Sequence, residues 1–246
     1  MSERPRVAVF RPNDDRLESA VALLSSLGVE PIPDPMLSVR PTGALPRTDA
    51  AFTILTSKTG VEIAAEGDWT PSGTTLCAIG PTTADAAEAA GYRVDLIPDD
   101  FTSAGLVEAL RERVEGATVE VARSDHGSEV LLEGLDSAGA FHHETVLYEL
   151  VIPEGAGSSV ELATEGELDG ALFTSSLTVE HFLEVADRDG QGEAAREGLE
   201  RAVVGAIGPP TAETAAEQGI EVDVIPEEAD FEALARATIE RLGVTP

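Results

Sequence analysis

The sequence predicts an α/β protein of parallel sheets with helices on both faces, and three observations predict it. Short β-rich runs, "VAVF" (7–10), "AAFTIL" (50–55), "TLCAI" (75–79) and "RVDLI" (93–97), are each followed by a helical pattern. These runs are near-continuously apolar, as strands buried on two faces are, and do not alternate strictly. The order is also written twice: "AIGPTTADAAEAAGYRVDLIP" (78–98) returns without a gap as "AIGPPTAETAAEQGIEVDVIP" (206–226).

Two further matches extend the repeat. "RVAVFRP" (6–12) aligns with "TVEVARS" (118–124), and "LTSKTGVE" (55–62) with "FTSSLTVE" (173–180). Each half then reads strand, helix, strand, strand, helix, strand, helix, strand, helix, which is two flavodoxin-like layers of about five strands each. In the first helix, "DDRLESAVALLSSLG" (14–28), Leu17, Val21, Leu24 and Leu27 form one stripe. Asn13 or Asp14 can cap that helix, and Gly28 can close it. "TADAAEAAG" and "TAETAAEQG" end on Gly91 and Gly219 in the same way. "PIPDPMLSVRPTG" (31–43) and "AFHHETVLYELVIPEGAG" (140–157) are long extended segments, and either suits a crossing between lobes. On the repeat alone, a boundary near Gly116 is equally open.

A chain of 246 residues can bury two cores of ordinary size. No run approaches the roughly 20 apolar residues of a membrane helix. "MSERPRVAVF" carries no apolar signal region, so a cytoplasmic location is expected. Cys77 is the single cysteine, so no intramolecular disulfide forms, and its place in "TLCAIG" reads as core. Sixteen basic residues stand against 46 acidic ones, a net charge of −30. That field excludes nucleic acid and anionic membranes as partners. The acids fall on helix faces and turns, a solvated coat of the kind that suits a salt-rich cytoplasm.

Ligands of open parallel sheets bind beyond the carboxyl ends of the strands. Six strand-to-helix turns lead there: "FRPND" (10–14), "LTSKTG" (55–60), "AIGPTT" (78–83), "ARSDHGS" (122–128), "FTSSLT" (173–178) and "AIGPPT" (206–211). They combine hydroxyls with Arg11, Lys58 and Arg123, and unpaired amides at helix starts attract carboxylates or phosphates. One helix N-terminus contributes only about 0.3–1 kcal/mol. Six around a common cleft suit a polyanion, so two copies supply two walls. The candidate binding residues are Arg11, Pro12, Thr56, Ser57, Lys58, Thr82, Thr83, Arg123, Ser124, Ser128, Thr174, Ser175 and Ser176. Each hydroxyl has a competing role as an N-cap, and each arginine as one half of a surface ion pair.

Other chemistry is not indicated. No G-x-G-x-x-G opens a helix and no G-x-x-x-x-G-K-[ST] is present. The histidines lack metal spacing, and His142 and His143 point to opposite faces of a strand. "DRDGQGE" (187–193) is out of register for a calcium loop and reads as an acidic surface loop. "FTILTS" ends on Thr and Ser where a phosphorelay receiver needs an aspartate.

Taken in order, "VFRP" (9–12), "FTILTSKTGVE" (52–62), "AIGPTTADAAEAAG" (78–91), "VARSDHGSEVL" (121–131), "VLYEL" (146–150), "LFTSSLTVEHF" (172–182) and "AIGPPTAETAAEQGIEV" (206–222) resemble the uroporphyrinogen-III synthase family. The resemblance implies two flavodoxin-like domains, residues 1–38 with 153–246 and residues 39–152, joined by a two-stranded ribbon near 35–40 and 147–153. "PMLSV" and "LYELV" would be its strands. It implies a monomer without metal or organic cofactor. The substrate would be hydroxymethylbilane, a linear tetrapyrrole with eight carboxylates. The reaction would lose water, form a spiro intermediate, invert ring D and close the macrocycle. Tyr148 matches the family's tyrosine beside the ribbon and is the expected proton donor as hydroxide leaves. Thr83 and Thr211 match hydroxyls of the "AIGP" turns, with Thr211 by the reacting end. Pro210 departs from the family's "GPTT" pattern and leaves Thr211 alone there. A non-catalytic two-lobed binding module for a small polyanion is the alternative.

Overall fold

The computed structural model describes residues 4–244. In chain order its elements are β1 (Arg6–Phe10), α1 (Asp15–Ser26), β2 (Glu30–Pro33), β3 (Ser38–Pro41), β4 (Phe52–Leu55), α2 (Lys58–Glu66), β5 (Thr75–Ala78), α3 (Pro81–Ala89), α4 (Ser103–Leu110) and β6 (Thr118–Ser124). They continue with α5 (Glu129–Ser137), β7 (Phe141–Val151), α6 (Ser158–Glu165), β8 (Gly170–Phe173), α7 (Ser176–Arg188), α8 (Gly192–Arg201), β9 (Val203–Ala206), α9 (Pro209–Glu217) and α10 (Phe231–Arg241). Two compact units result: Met1–Ser38 with Val151–Pro246, and Val39–Leu150.

The first unit holds a parallel sheet of order β2-β1-β8-β9. Strand alternation divides its core into two layers. Ala8, Phe10, Ala171 and Phe173 enter one with Phe182, while Val7, Val9 and Leu172 enter the other with Leu17, Leu24 and Phe231. The rings of Phe10 and Phe173 stack at 4.6 Å, and Phe182 meets Phe10 edge-on at 5.6 Å. Asp14 caps α1 by accepting from the Arg16 amide. Leu17, Leu24 and Leu27 are buried, Val21 is partly so, and Gly28 leaves the helix at φ +89°. Asp34, 1 % exposed, follows β2 and accepts from the Gly157 and Ser159 amides at 3.0 and 2.8 Å. The α6 entry is thereby fastened to the end of β2.

The second unit's sheet has the order β3-β7-β6-β4-β5, with β7, β6, β4 and β5 parallel to one another. Ile54, Cys77, Val119 and Val121 pack under α4 and α5 against Leu106, Leu110, Leu131 and Leu135. Leu55, Leu76, Ala122 and Leu147 face the other way, onto Val61, Ala64, Trp69 and Tyr92. The α/β architecture with parallel sheets therefore follows from the apolar runs themselves.

Two local readings need correction. "RVDLI" forms no full strand: Leu96 makes one isolated bridge to Cys77, and Val224 makes one to Gly205 in the other unit. Asp95 and Asp223 take the Leu76 and Val204 amides on their side chains, at 3.1 and 2.9 Å, where a backbone carbonyl would serve in a ladder. A proline two residues after each bridge, Pro98 or Pro226, then removes a donor. "DRDGQGE" is a helix–helix junction, since Asp187 and Arg188 finish α7 and Gly192 opens α8. Among the described residues no helix is long and apolar enough to cross a membrane.

Candidate functional site

The turns after β4 and β6 and the far part of β7 enclose a cavity of about 220 Å³ in the second unit. Thr56, Ser57, Ser124, Ser128 and Tyr148 line it together with Ser103 and His126. Tyr148 is 6 % exposed, and its hydroxyl lies 2.9 Å from the Ser57 Oγ. Ser57 also caps α2, accepting from the Gly60 amide at 3.0 Å. A Cβ on Gly60 would lie 3.1 Å from the Ser57 Oγ and 3.3 Å from Leu147, so glycine is what lets α2 approach β7 this closely. Two hydroxyls sharing one hydrogen bond use one proton between them. Whichever donates, the other proton remains for a third oxygen in the cavity.

Beside this pair, Asp125 accepts from the Leu150 amide at 3.0 Å and contacts the His126 Nδ1 at 2.9 Å. Burial alone would raise the Asp125 carboxyl, but the His126 and Leu150 bonds outweigh it and hold the group below the ordinary range. His126 and Ser103 are lining residues that the sequence reading does not single out. The "SDH" within the turn "ARSDHGS" is the visible signal for His126. Ser103 carries no local signal, because it is the fold of α4 that brings it to the cavity.

Arg123 lines the same cavity, where the sequence places it, but it is 2 % exposed and its guanidinium is engaged by neighbouring groups. It donates to Glu144 at 2.6 Å, to the Ser128 carbonyl at 2.6 Å and to Glu129 at 3.1 Å. The register shift of β6 against β7 falls between Arg123 and Ser124, next to this cluster. Ser128 meanwhile caps α5 through the Val130 amide. Lys58 and Thr82 lie apart from the hydroxyl cavity, on an α2–α3 groove of about 580 Å³ that also includes Glu62 and Asp85. Lys58 is exposed and 3.5 Å from Glu62.

In the first unit Arg11 ends β1 with its guanidinium 4.7 Å from the centre of the Phe231 ring. Burial, and then Arg16, lower its pKa. Arg11 makes no ion pair among the described residues, unlike Arg123 and Lys58. Pro12, half-buried, gives its carbonyl to the Asp14 amide. Thr174 donates to the Phe10 carbonyl at 2.7 Å, and Ser175 forms a capping box with Thr178. Ser176 donates to the Pro210 carbonyl at 3.2 Å and accepts from Thr214 at 2.8 Å. Thr83 and Thr211 are both 4 % exposed, at the third positions of α3 and α9. Gly80 and Gly208 occupy the N-cap positions without a side-chain bond, so neither threonine is the cap. Thr211 is thus a buried residue of the first turn of α9, as Thr83 is of α3.

Hydroxyl-rich turns at the carboxyl ends of parallel strands, with a hydrogen-bonded Tyr–Ser pair among them, define an α/β protein with a polar, hydroxyl-lined cavity. The family model "Uroporphyrinogen-III synthase HemD" matches residues 18–236, and the chain belongs to that family. It is 28% identical over 233 residues to the uroporphyrinogen-III synthase of Synechococcus elongatus, covering 88% of each chain. A Methanothermobacter thermautotrophicus protein, described provisionally as the same enzyme, is 35% identical over 172 residues, 68% of this chain and 67% of that one. A mutant uroporphyrinogen III synthase from Thermus thermophilus has the same fold, with a TM-score of 0.65, 19% identity and coverage of 97% of this chain and 98% of that one. The activity is that of a uroporphyrinogen-III synthase, a cyclising lyase, and the non-catalytic binding module is not favoured.

Proposed function

We propose that the second unit's hydroxyl cavity is where this chain handles the reacting end of hydroxymethylbilane, and that Tyr148 gives the proton that lets its hydroxyl leave as water. One observation carries this reading: the Tyr148 hydroxyl, 2.9 Å from the Ser57 Oγ, shares a cavity with four further hydroxyl residues. A leaving hydroxide develops charge on oxygen, and a positioned O–H stabilises it as it forms. Arg11, which makes no ion pair among the described residues, is the best placed of the three cationic candidates to hold a substrate carboxylate in its own unit. Against a net charge of −30, such local cations matter for binding an octa-acid.

The two units are read as copies of one flavodoxin-like layer, with residues 1–38 and 153–246 in one domain and 39–152 in the other, joined through β3 and β7 as a ribbon. What supports this is the strand order. β7-β6-β4-β5 with the Leu96 bridge matches β2-β1-β8-β9 with the Val224 bridge, element for element. Hydroxymethylbilane closes unaided to the non-inverted isomer, so the protein's task is chiefly to position the last ring. Incubating the purified chain with hydroxymethylbilane and separating the type I and type III isomers tests the reading. Type III product above the no-enzyme control is expected; type I alone would refute it.

A further inference from the structure

We propose that Phe101, which carries no role in the reading above, binds substrate by laying its ring against a pyrrole at the edge of the hydroxyl cavity. The inference rests on that reading and adds an apolar contact to it. Phe101 is 56 % exposed, a large ring left in water. It stands beside residues of the cavity on two sides. Ser103, two residues on, lines the cavity, and so does Ile79, the neighbour of Gly80, on which the Phe101 side chain packs. Val130, half exposed, adjoins the lining residue Leu131 on α5. The cavity's hydroxyls suit the oxygen-bearing groups of a tetrapyrrole, but its pyrrole rings need apolar or aromatic surface.

The loop that presents Phe101 is built tightly. A Cβ on Gly80 would lie 3.2 Å from the Phe101 Cβ, and a Cβ on Gly105 would lie 1.9 Å from the Asp100 carbonyl oxygen. Two glycines therefore make room for the loop to close down on α3 and α4. The Thr102 amide donates to the Asp100 carbonyl at 2.8 Å, and Thr102 caps α4 through Gly105 at 3.0 Å. The ring is exposed on a fixed support.

The first unit supplies a built-in control. Its corresponding turn makes the same bond, from the Asp230 amide to the Glu228 carbonyl at 2.7 Å, and Asp230 caps α10 through Ala233 at 3.1 Å. That turn carries Ala229 where the second unit carries Phe101, and Ala233 where it carries Gly105. The turn forms without an aromatic. Its presence in the second unit, together with the glycine that draws the loop in, points to a ligand contact and away from a folding requirement.

Steady-state kinetics of Phe101→Ala and Phe101→Trp with hydroxymethylbilane test this. Phe101→Ala should raise KM about tenfold with kcat within about twofold, and Phe101→Trp should restore KM, because indole offers the same stacking face. Thermal melts of both variants should match the parent. If Phe101→Ala fails to fold, Phe101→Leu replaces it in the same comparison and should raise KM several-fold. An unchanged KM in a folded alanine or leucine variant overturns the proposal. If the parent chain itself makes no type III isomer, it is the reading of the cavity that fails.

Discussion

The Tyr148 hydroxyl and the Ser57 Oγ, 91 residues apart in sequence, stand 2.9 Å from one another. The contact joins the strand β7 to the cap of α2, so one serine serves both a helix terminus and a buried phenol. Tyr148→Phe should lower kcat about tenfold without changing the product isomer. That is less than the hundredfold or more of a sole general acid, since Ser57 keeps a proton of its own. Ser57→Ala should lower kcat and also cost about 1 kcal/mol of stability through the lost cap. In the double variant the kcat losses should be less than multiplicative, because the two hydroxyls act as a pair. A wild-type rate in Tyr148→Phe removes the tyrosine from the mechanism.

Arg123 should behave as a structural residue. Its partners Glu144 and the Ser128 carbonyl lose a buried donor in Arg123→Ala, which should cost about 3 kcal/mol, the lower end for a broken buried pair because Glu129 is exposed. Urea titration reads the loss directly. Activity per folded molecule should fall far less than stability. A KM increase with stability intact would instead return Arg123 to the substrate.

Asp34 fastens α6 to β2 by accepting from the part-buried Gly157 amide, the buried Ser159 amide and the Ser159 hydroxyl. Asp34→Ala strands those donors, and unmet buried donors cost about 1–3 kcal/mol each before relaxation. We expect a loss of about 3 kcal/mol at neutral pH. A melting temperature equal to the parent's would mean that water replaces the carboxylate without penalty.

Burial pushes the Cys77 thiol up to about 12, from an unfolded value of 9.0. The sign follows from proton binding. Below pH 9 the thiol is neutral in both states, and above it the unfolded chain loses the proton while the folded chain keeps it. Stability should therefore decline as pH rises between these values, by about 1.4 kcal/mol per unit from this group. Cys77→Ala should flatten that alkaline slope in pH-dependent unfolding. Native protein should also resist a thiol reagent at about pH 8 that labels the denatured chain; equal labelling rates would contradict the burial.

The sequence by itself determined the features that depend on neighbours within a few residues. The apolar runs of β1, β4, β5 and β8, the α1 stripe with its Asp14 cap, and the turns closed by Gly28, Gly91 and Gly219 all follow from local periodicity and backbone freedom. The parallel α/β class follows from how those elements alternate. The hydroxyl-rich turns were legible for the same reason, since a cap and its helix lie together in the chain. Tertiary structure alone decided which of these residues have work left for a ligand. Arg123 finds Glu144 only because β6 and β7 pair in one register, and Arg11 meets the Phe231 ring only because α10 packs beside the end of β1. Thr211 is buried through the packing of α9, and Leu96 and Val224 make single bridges because Asp95 and Asp223 take the amides a ladder would use. A side chain's free valence is what remains after distant partners have taken their share, and local sequence does not encode distances across tens of residues.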